Sequence, residues 1–366
     1  MTLPLDDPDY ALVWPVAIFR DEFRALVATS DSEALEILCR EAFTSPGVAD
    51  QILRDRSSAV DPFTNEPLGT ENDPLKTARE LEARLDELRE RAEPRPYYNQ
   101  RFRATASPGP RLEAGRRAFT RLIADLDRTN YLDLAFGKDC VDAPRDDPSL
   151  FLEERLDVAD LWPLNPENWD EETFYSLIEV FHDAVARPRT IDSYHTWDNC
   201  GPHYGSFATK PGRALYLARV NAILERNGFS VRLAPDGEDA GRVVVATDDA
   251  RDDLLERSIT TADADSDNVR HAIRLFRSRE ATRTEKRSAV VSLASVLENE
   301  RDLLKANLLS NDEGALFRIA NQFEIRHRNA DQRTDYDDAY LDWVFWWYLA
   351  TVELVRSLRR REAVQP

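Results

Sequence analysis

Along most of this chain apolar residues recur every three or four positions, and that period predicts helices over most of its length. Three helices are predicted within residues 1–95. Val16, Phe19, Phe23 and Leu26 form one stripe, which closes at Ser30-Asp31, a pair able to cap the helix that follows. That helix carries Leu35, Ile37, Leu38 and Phe43 and stops at Ser45-Pro46. A third is predicted from Pro74 to Ala92, where Leu81, Leu85 and Leu88 make a thin stripe among charges, as in a solvated helix that leans on its neighbours with one edge. The prolines of residues 93–110 break the period and mark a linker. Residues 96–167 then hold one helix, at 112–127, and an irregular acidic stretch.

Residues 168–265 open on a helix at 171–186, ended by Pro188, followed by a polar, aromatic-rich loop (IDSYHTWDNCGPHYGSF) and a helix at 212–227 that stops at Asn227-Gly228. The one β signal follows. Phe229 to Leu233 alternates, a Pro/Asp/Gly loop intervenes, and Val243, Val244 and Val245 are β-branched, which predicts a hairpin over 229–246. From residue 266 helices are predicted at 266–279, 283–307, 312–327 and 336–361. Their short connections favour antiparallel neighbours and a four-helix bundle over 266–366. The expected fold class is therefore mainly α with one small β-hairpin.

Composition agrees with helix: 366 residues with 12 glycines leave little material for tight turns, while 42% apolar residues are enough for real cores. A net charge of −20 argues against a protein that coats nucleic acid nonspecifically, although local basic runs remain. Three cysteines, Cys39, Cys140 and Cys200, do not make a disulfide framework and point to a reducing cytoplasm. The stretch from Trp343 to Val352 is too short to span a bilayer, and MTLPLDDPDY lacks the basic and apolar parts of a secretion signal, so no membrane partner is expected. The chain has no GxxxxGK[ST], GxGxxG, GxSxG or HExxH string, which sets aside nucleotide-driven motors, dinucleotide oxidoreductases, α/β-hydrolases and the common metalloproteases.

Four segments carry candidate chemistry. In the first, Arg326, His327 and Arg328 stand together near a helix end. Like charge on both sides favours a neutral His327 able to act as a base, the arginines can hold a phosphate in a fork, and Glu298 is a candidate acidic partner. A base and cations suffice for metal-independent cleavage of an RNA phosphodiester; the plain alternative is a helix end whose cations answer the dipole. The second is a basic run of Arg270, Arg274, Arg277, Arg283, Lys286 and Arg287 which, with Arg333, could track an RNA backbone or serve as a solvated, ion-paired face. In the third, His195, Cys200 and His203, with Asp198 between them, are metal-competent residue types. Their H-x4-C-x2-H order matches no standard zinc spacing, so the loop reads as packing or an interaction surface, with no metal or cofactor expected. The fourth is the aromatic block containing Tyr340, Trp343, Trp346 and Trp347. It covers every side of its helix and points to a homodimer interface.

The run KRSAVVSLASVLENERDLLKANLL, then LFRIANQFEIRHRNADQ and the closing aromatic helix, resembles the C-terminal domain of bacterial abortive-infection (antiphage defence) proteins of the HEPN superfamily. The resemblance covers about residues 266–360. It implies a dimerising four-helix bundle with RNA-binding or endoribonuclease activity between protomers. Arg326 matches the signature arginine and His327 the polar position beside it, whereas the signature histidine position falls near Gln332 or Arg333. The departure leaves two expectations: a ribonuclease in which His327 takes over as base, or a non-catalytic dimerising subunit of a defence complex.

Overall fold

A computed structural model describes residues 3–53, 75–95, 97, 110–140, 145–196, 200–237, 239–263, 265–278, 281–322 and 337–364. The chain is mainly helical, with two small antiparallel sheets among the described residues, and it divides into compact units at Met1–Phe229 and Ser230–Pro366. No helix among the described residues is long and apolar enough to cross a membrane.

The first unit begins with α1 (Val16–Thr29), α2 (Ser32–Ala42) and α3 (Gly47–Ile52). Phe19, Phe23 and Leu26 are buried as their spacing requires, and Asp31 caps α2 by accepting from the Ala34 amide at 3.1 Å. Where one solvated helix was expected over 74–92, there is α4 (Lys76–Glu82) followed by a 3₁₀ turn at Leu85–Glu87. The break at Ala83-Arg84 redirects the chain so that Leu81, Leu85 and Leu88 are all buried rather than grazing the surface. Next come α5 (Leu112–Arg128), the single turn α6 (Asp133–Phe136), α7 (Pro148–Leu156) and α8 (Glu171–Ala184). Phe119, Phe136, Phe174 and Phe181 meet edge to face within this group, their centroids 5.7–6.4 Å apart, a packing that aromatic quadrupoles favour.

The polar loop expected after α8 is instead a second hairpin. Strand β1 (Arg187–His195) pairs with β2 (Gly201–Ala208), bringing Arg187 opposite Ala208, Ser193 opposite His203 and His195 opposite Gly201. Pro188, Pro202 and three register shifts interrupt the alternation, and the outer part of the hairpin is half-exposed, so no apolar stripe announces a strand. Helix α9 (Thr209–Arg226) then crosses the base of β1 so closely that a Cβ on Gly212 would stand 2.6 Å from the Arg187 backbone nitrogen.

The second unit opens on the expected hairpin, β3 (Val231–Leu233) with β4 (Val243–Val245), which sequence had grouped with the preceding helices. Its helices are α10 (Asp249–Thr260), α11 (Ser266–Arg277), α12 (Arg283–Asn299), α13 (Arg301–Asn307), α14 (Ser310–Gln322) and α15 (Asp338–Val364). Thr282 and Glu285 form a reciprocal capping box at the start of α12. The single helix expected over 283–307 is interrupted at Glu300, a buried carboxylate bonded to Arg359. Val269, Ile273 and Phe276 of α11, Val290, Leu293 and Leu297 of α12, Leu316 and Phe317 of α14, and Val344, Phe345 and Tyr348 of α15 share one core. At its centre the Phe276 and Phe345 rings stack 3.7 Å apart, inclined by only 3°.

A candidate metal centre at the tip of the first hairpin

The base of the β1–β2 hairpin is anchored in the interior of the first unit. Arg187 is fully buried; it donates to Glu22 at 3.0 Å and to the Ala34 carbonyl at 2.8 Å, with a Glu41 oxygen 3.7 Å from its Nε. Such a buried cation is tolerable only because the Glu22 carboxylate and the Ala34 carbonyl replace its water. Tyr131 donates to Glu41 at 2.8 Å. Burial pushes the Glu41 carboxyl up to about 7, against the lowering effects of Arg187, the Tyr131 hydroxyl and Arg219. From this anchored base the two strands run outward to a half-exposed tip.

At that tip the register sets two imidazoles together. Ser193 lies opposite His203, and His195 is two residues from Ser193, so both histidines fall on one face of the hairpin. Their ring centroids are 4.3 Å apart. Cys200 joins them just before β2, where Gly201 adopts φ +82°, a left-handed backbone that glycine accepts without cost. The fourth member comes from far away in sequence. Gly137, at φ +72°, ends α6 and turns the chain into the loop that carries Cys140 to the hairpin. Phe136 holds that loop in place: its ring lies edge-on to Phe151, 4.9 Å between centroids, and its carbonyl accepts from the Asp146 amide.

The ligand atoms of Cys140, His195, Cys200 and His203 all lie within 4.8 Å of one another. Cys140 Sγ is 3.4 Å from His195 Nδ1, and Cys200 Sγ is 3.1 Å from His203 Nε2. A tetrahedron with metal–ligand bonds of about 2.0–2.3 Å has edges of roughly 3.3–3.8 Å, so the two shorter separations already sit near a zinc polyhedron and the rest need only contract. Partial burial and the adjoining Cys140 thiol push the Cys200 thiol up, while Lys138 acts against them. Two neighbouring thiolates repel each other; a divalent cation between them reverses that balance, displaces both protons and leaves a neutral set. Two of the chain's three cysteines and two of its five histidines meet here, which makes chance association of common residues a poor account.

Cys140, His195 and Cys200 also line a cavity of about 1060 Å³, together with Ile123 and Asp127 of α5 and the Trp162-Pro163 segment. Arg145 stands on that wall. It bonds Asp127 through both terminal nitrogens, at 2.6 and 3.1 Å, and its guanidinium lies 5.7 Å from the Trp162 ring.

The sequence pattern marks His195, Cys200 and His203 as metal-competent but reads their loop as packing or an interaction surface, because the side chain that completes the set lies 55 residues before His195. Asp198, named with them, lies outside the described residues, as do Arg326, His327, Arg328, Gln332 and Arg333. Glu298 is described, and accepts from Arg301 at 3.4 Å. The cations of the basic run are engaged to different degrees. Arg270 pairs with Asp267 at 3.3 Å, Arg283 with Asp338 at 3.7 Å and Lys286 with Asp342 at 2.9 Å. Arg274 is exposed beside His271, Arg287 is half-buried, and Arg277 is buried at the end of α11. In the aromatic block Phe345 and Tyr348 enter the core, and Trp346 packs edge-on against Phe276. Tyr340 and Trp347 are half-buried against Trp343, which is exposed.

No known family model, curated protein or solved structure matches the chain.

Proposed function

We propose that the first unit is a zinc-binding module whose ion, held by Cys140, His195, Cys200 and His203, clamps the tip of the β1–β2 hairpin to the loop after α6. The observation that carries this reading is the convergence of two thiols and two imidazoles from separate segments into one four-atom cluster. Two soft sulfur and two imidazole donors in a compact set favour zinc among the divalent metals. Four protein ligands leave no position for water or substrate, so the ion acts in folding and in shaping the adjoining cavity wall rather than as a Lewis acid. Thiol ligands suit a reducing compartment such as the cytoplasm. The test is metal content after zinc loading and exhaustive dialysis. One zinc per chain is expected, lost in Cys140→Ser and in His203→Ala with helical circular dichroism retained. Wild-type protein that keeps no zinc, or variants that keep it all, would overturn the assignment.

The second unit supports a further reading from its helical core. Helices α11, α12, α14 and α15 share one apolar centre, to which Leu255 of α10 and Leu304 of α13 also contribute, and a helical core of this kind supports the reading that the HEPN resemblance suggests. In this reading the unit binds or cleaves RNA in an antiphage-defence setting. Arg326, His327 and Arg328 act on the phosphate, Glu298 steadies the arginines, and Trp343, with Trp347 stacked beneath it, anchors a second copy. The alternative is a dimerising, non-catalytic subunit. RNA integrity after incubation with wild type and with an Arg326→Ala/His327→Ala variant, both zinc-loaded, separates the two. Cleavage lost in the variant supports the nuclease, whereas intact RNA with a well-folded wild type leaves the interaction subunit.

A further inference from the structure

We infer that the centre is also a redox-controlled metal latch: a peroxide-class oxidant joins Cys140 to Cys200 as a disulfide and sets the zinc free. This rests on the zinc reading above and adds its regulation. The two sulfurs are neighbours within a set of ligand atoms spanning at most 4.8 Å, so side-chain rotation and modest loop movement can bring them to the roughly 2.05 Å of an S–S bond. Cys200, which meets the oxidant, is half-exposed, and both cysteines lie on the wall of the open cavity, which provides a small oxidant with a path. The remaining cysteine is excluded from the chemistry. Cys39 is fully buried in α2. Burial holds its thiol far above the ordinary value, so it supplies neither nucleophile nor competing partner.

The chemistry balances as follows. The Cys200 thiolate attacks one peroxide oxygen; an S–O bond forms, the O–O bond breaks, and the departing hydroxide takes a proton from solvent to leave as water. The Cys140 thiolate then attacks the sulfenyl sulfur; the S–S bond forms, the S–O bond breaks, and a second hydroxide leaves, again protonated to water. Two thiolates have lost two electrons, and one peroxide has gained them. With both sulfur ligands consumed, two imidazoles remain, too few to hold zinc against dilution. The disulfide takes over the mechanical role of the ion, since it links the same loop to the hairpin tip at Cys200. The hairpin tip therefore stays tethered while metal, His195 and His203 are released. A thiol reductant with zinc restores the starting state.

Full-length, zinc-loaded protein is treated with hydrogen peroxide. Free zinc is followed with a chromogenic chelator, thiols are counted after denaturation, and the product is mapped by mass spectrometry of non-reduced peptides; Cys39→Ser is run in parallel as an internal control. The expected result is release of one zinc per chain, loss of two thiols with Cys39 still free, and a Cys140–Cys200 linked peptide pair, all reversed by reductant plus zinc. Zinc retained with its thiols intact would refute the latch. So would zinc released with sulfinic or sulfonic acids and no linked pair. Protein that carries no zinc at the outset defeats the zinc assignment itself, and with it the latch, before peroxide is added, so the two failures are told apart by the first reading.

Discussion

Glu41 should make the first unit lose stability as pH rises through neutrality, and the size of the loss follows from its surroundings. The carboxyl is enclosed among Arg187, Tyr131 and Arg219, and burial moves it from an ordinary 4.5 to about 7. The folded chain therefore holds this proton up to about pH 7, whereas the unfolded chain releases it near 4.5. Between those values the folded state binds more protons, so stability falls with rising pH. It is fully present below about 4.5 and lost once pH has passed the folded value. At about 1.36 kcal/mol per tenfold change, the gap is worth roughly 3 kcal/mol. Glu41→Gln keeps an acceptor for the Tyr131 hydroxyl and removes the titration. Urea unfolding of both proteins at intervals from pH 4.5 to 8.5 should show wild type losing roughly 3 kcal/mol more than the variant across that range. A constant offset from an altered Arg187 contact does not disturb the comparison, because only the slopes matter. Parallel lines would mean that Glu41 is ionised throughout and that Arg187 outweighs burial.

Three other outcomes are expected. Removing zinc with a chelator should lower the melting temperature of the first unit: binding at a free concentration a thousandfold above Kd adds about 4 kcal/mol, which corresponds to roughly 10 °C for a unit of this size, and an unchanged scanning-calorimetry profile would count against a clamp. Gly212→Ala places its methyl group 2.6 Å from the Arg187 nitrogen and 2.9 Å from the Ala186 carbonyl carbon, both backbone atoms that cannot swing aside. Forced separation costs about 1–3 kcal/mol, helix propensity returns at most about 1, and a net fall in urea midpoint should result. Phe276→Ala removes one half of the stacked pair at the centre of the second unit and should cost about 3–5 kcal/mol, read as an earlier unfolding transition; a loss below about 1 kcal/mol would mean that the core refills the space.

The helices were legible because the information that makes them is local. A stripe such as Phe19, Phe23 and Leu26, a cap such as Asp31, or a stop such as Asn227-Gly228 lies within a few residues of the structure it specifies, and each appears where the spacing places it. The β3–β4 hairpin was legible for the same reason, its β-branched run and turn residues being adjacent in the chain. What local pattern could not supply was pairing over distance. The β1–β2 hairpin is held by a buried Arg187 whose partners, Glu22 and the Ala34 carbonyl, lie more than 150 residues away, and its half-exposed strands show no alternating stripe. The candidate metal centre depends on the same kind of contact. Sequence marked His195, Cys200 and His203 as able to bind a metal, yet three such residues in an unfamiliar spacing are ordinary. Only the fold, by turning the chain at Gly137 and setting the hairpin tip against that loop, delivers Cys140 as the fourth metal-competent side chain and makes the spacing along the chain irrelevant, because coordination reads distances in space.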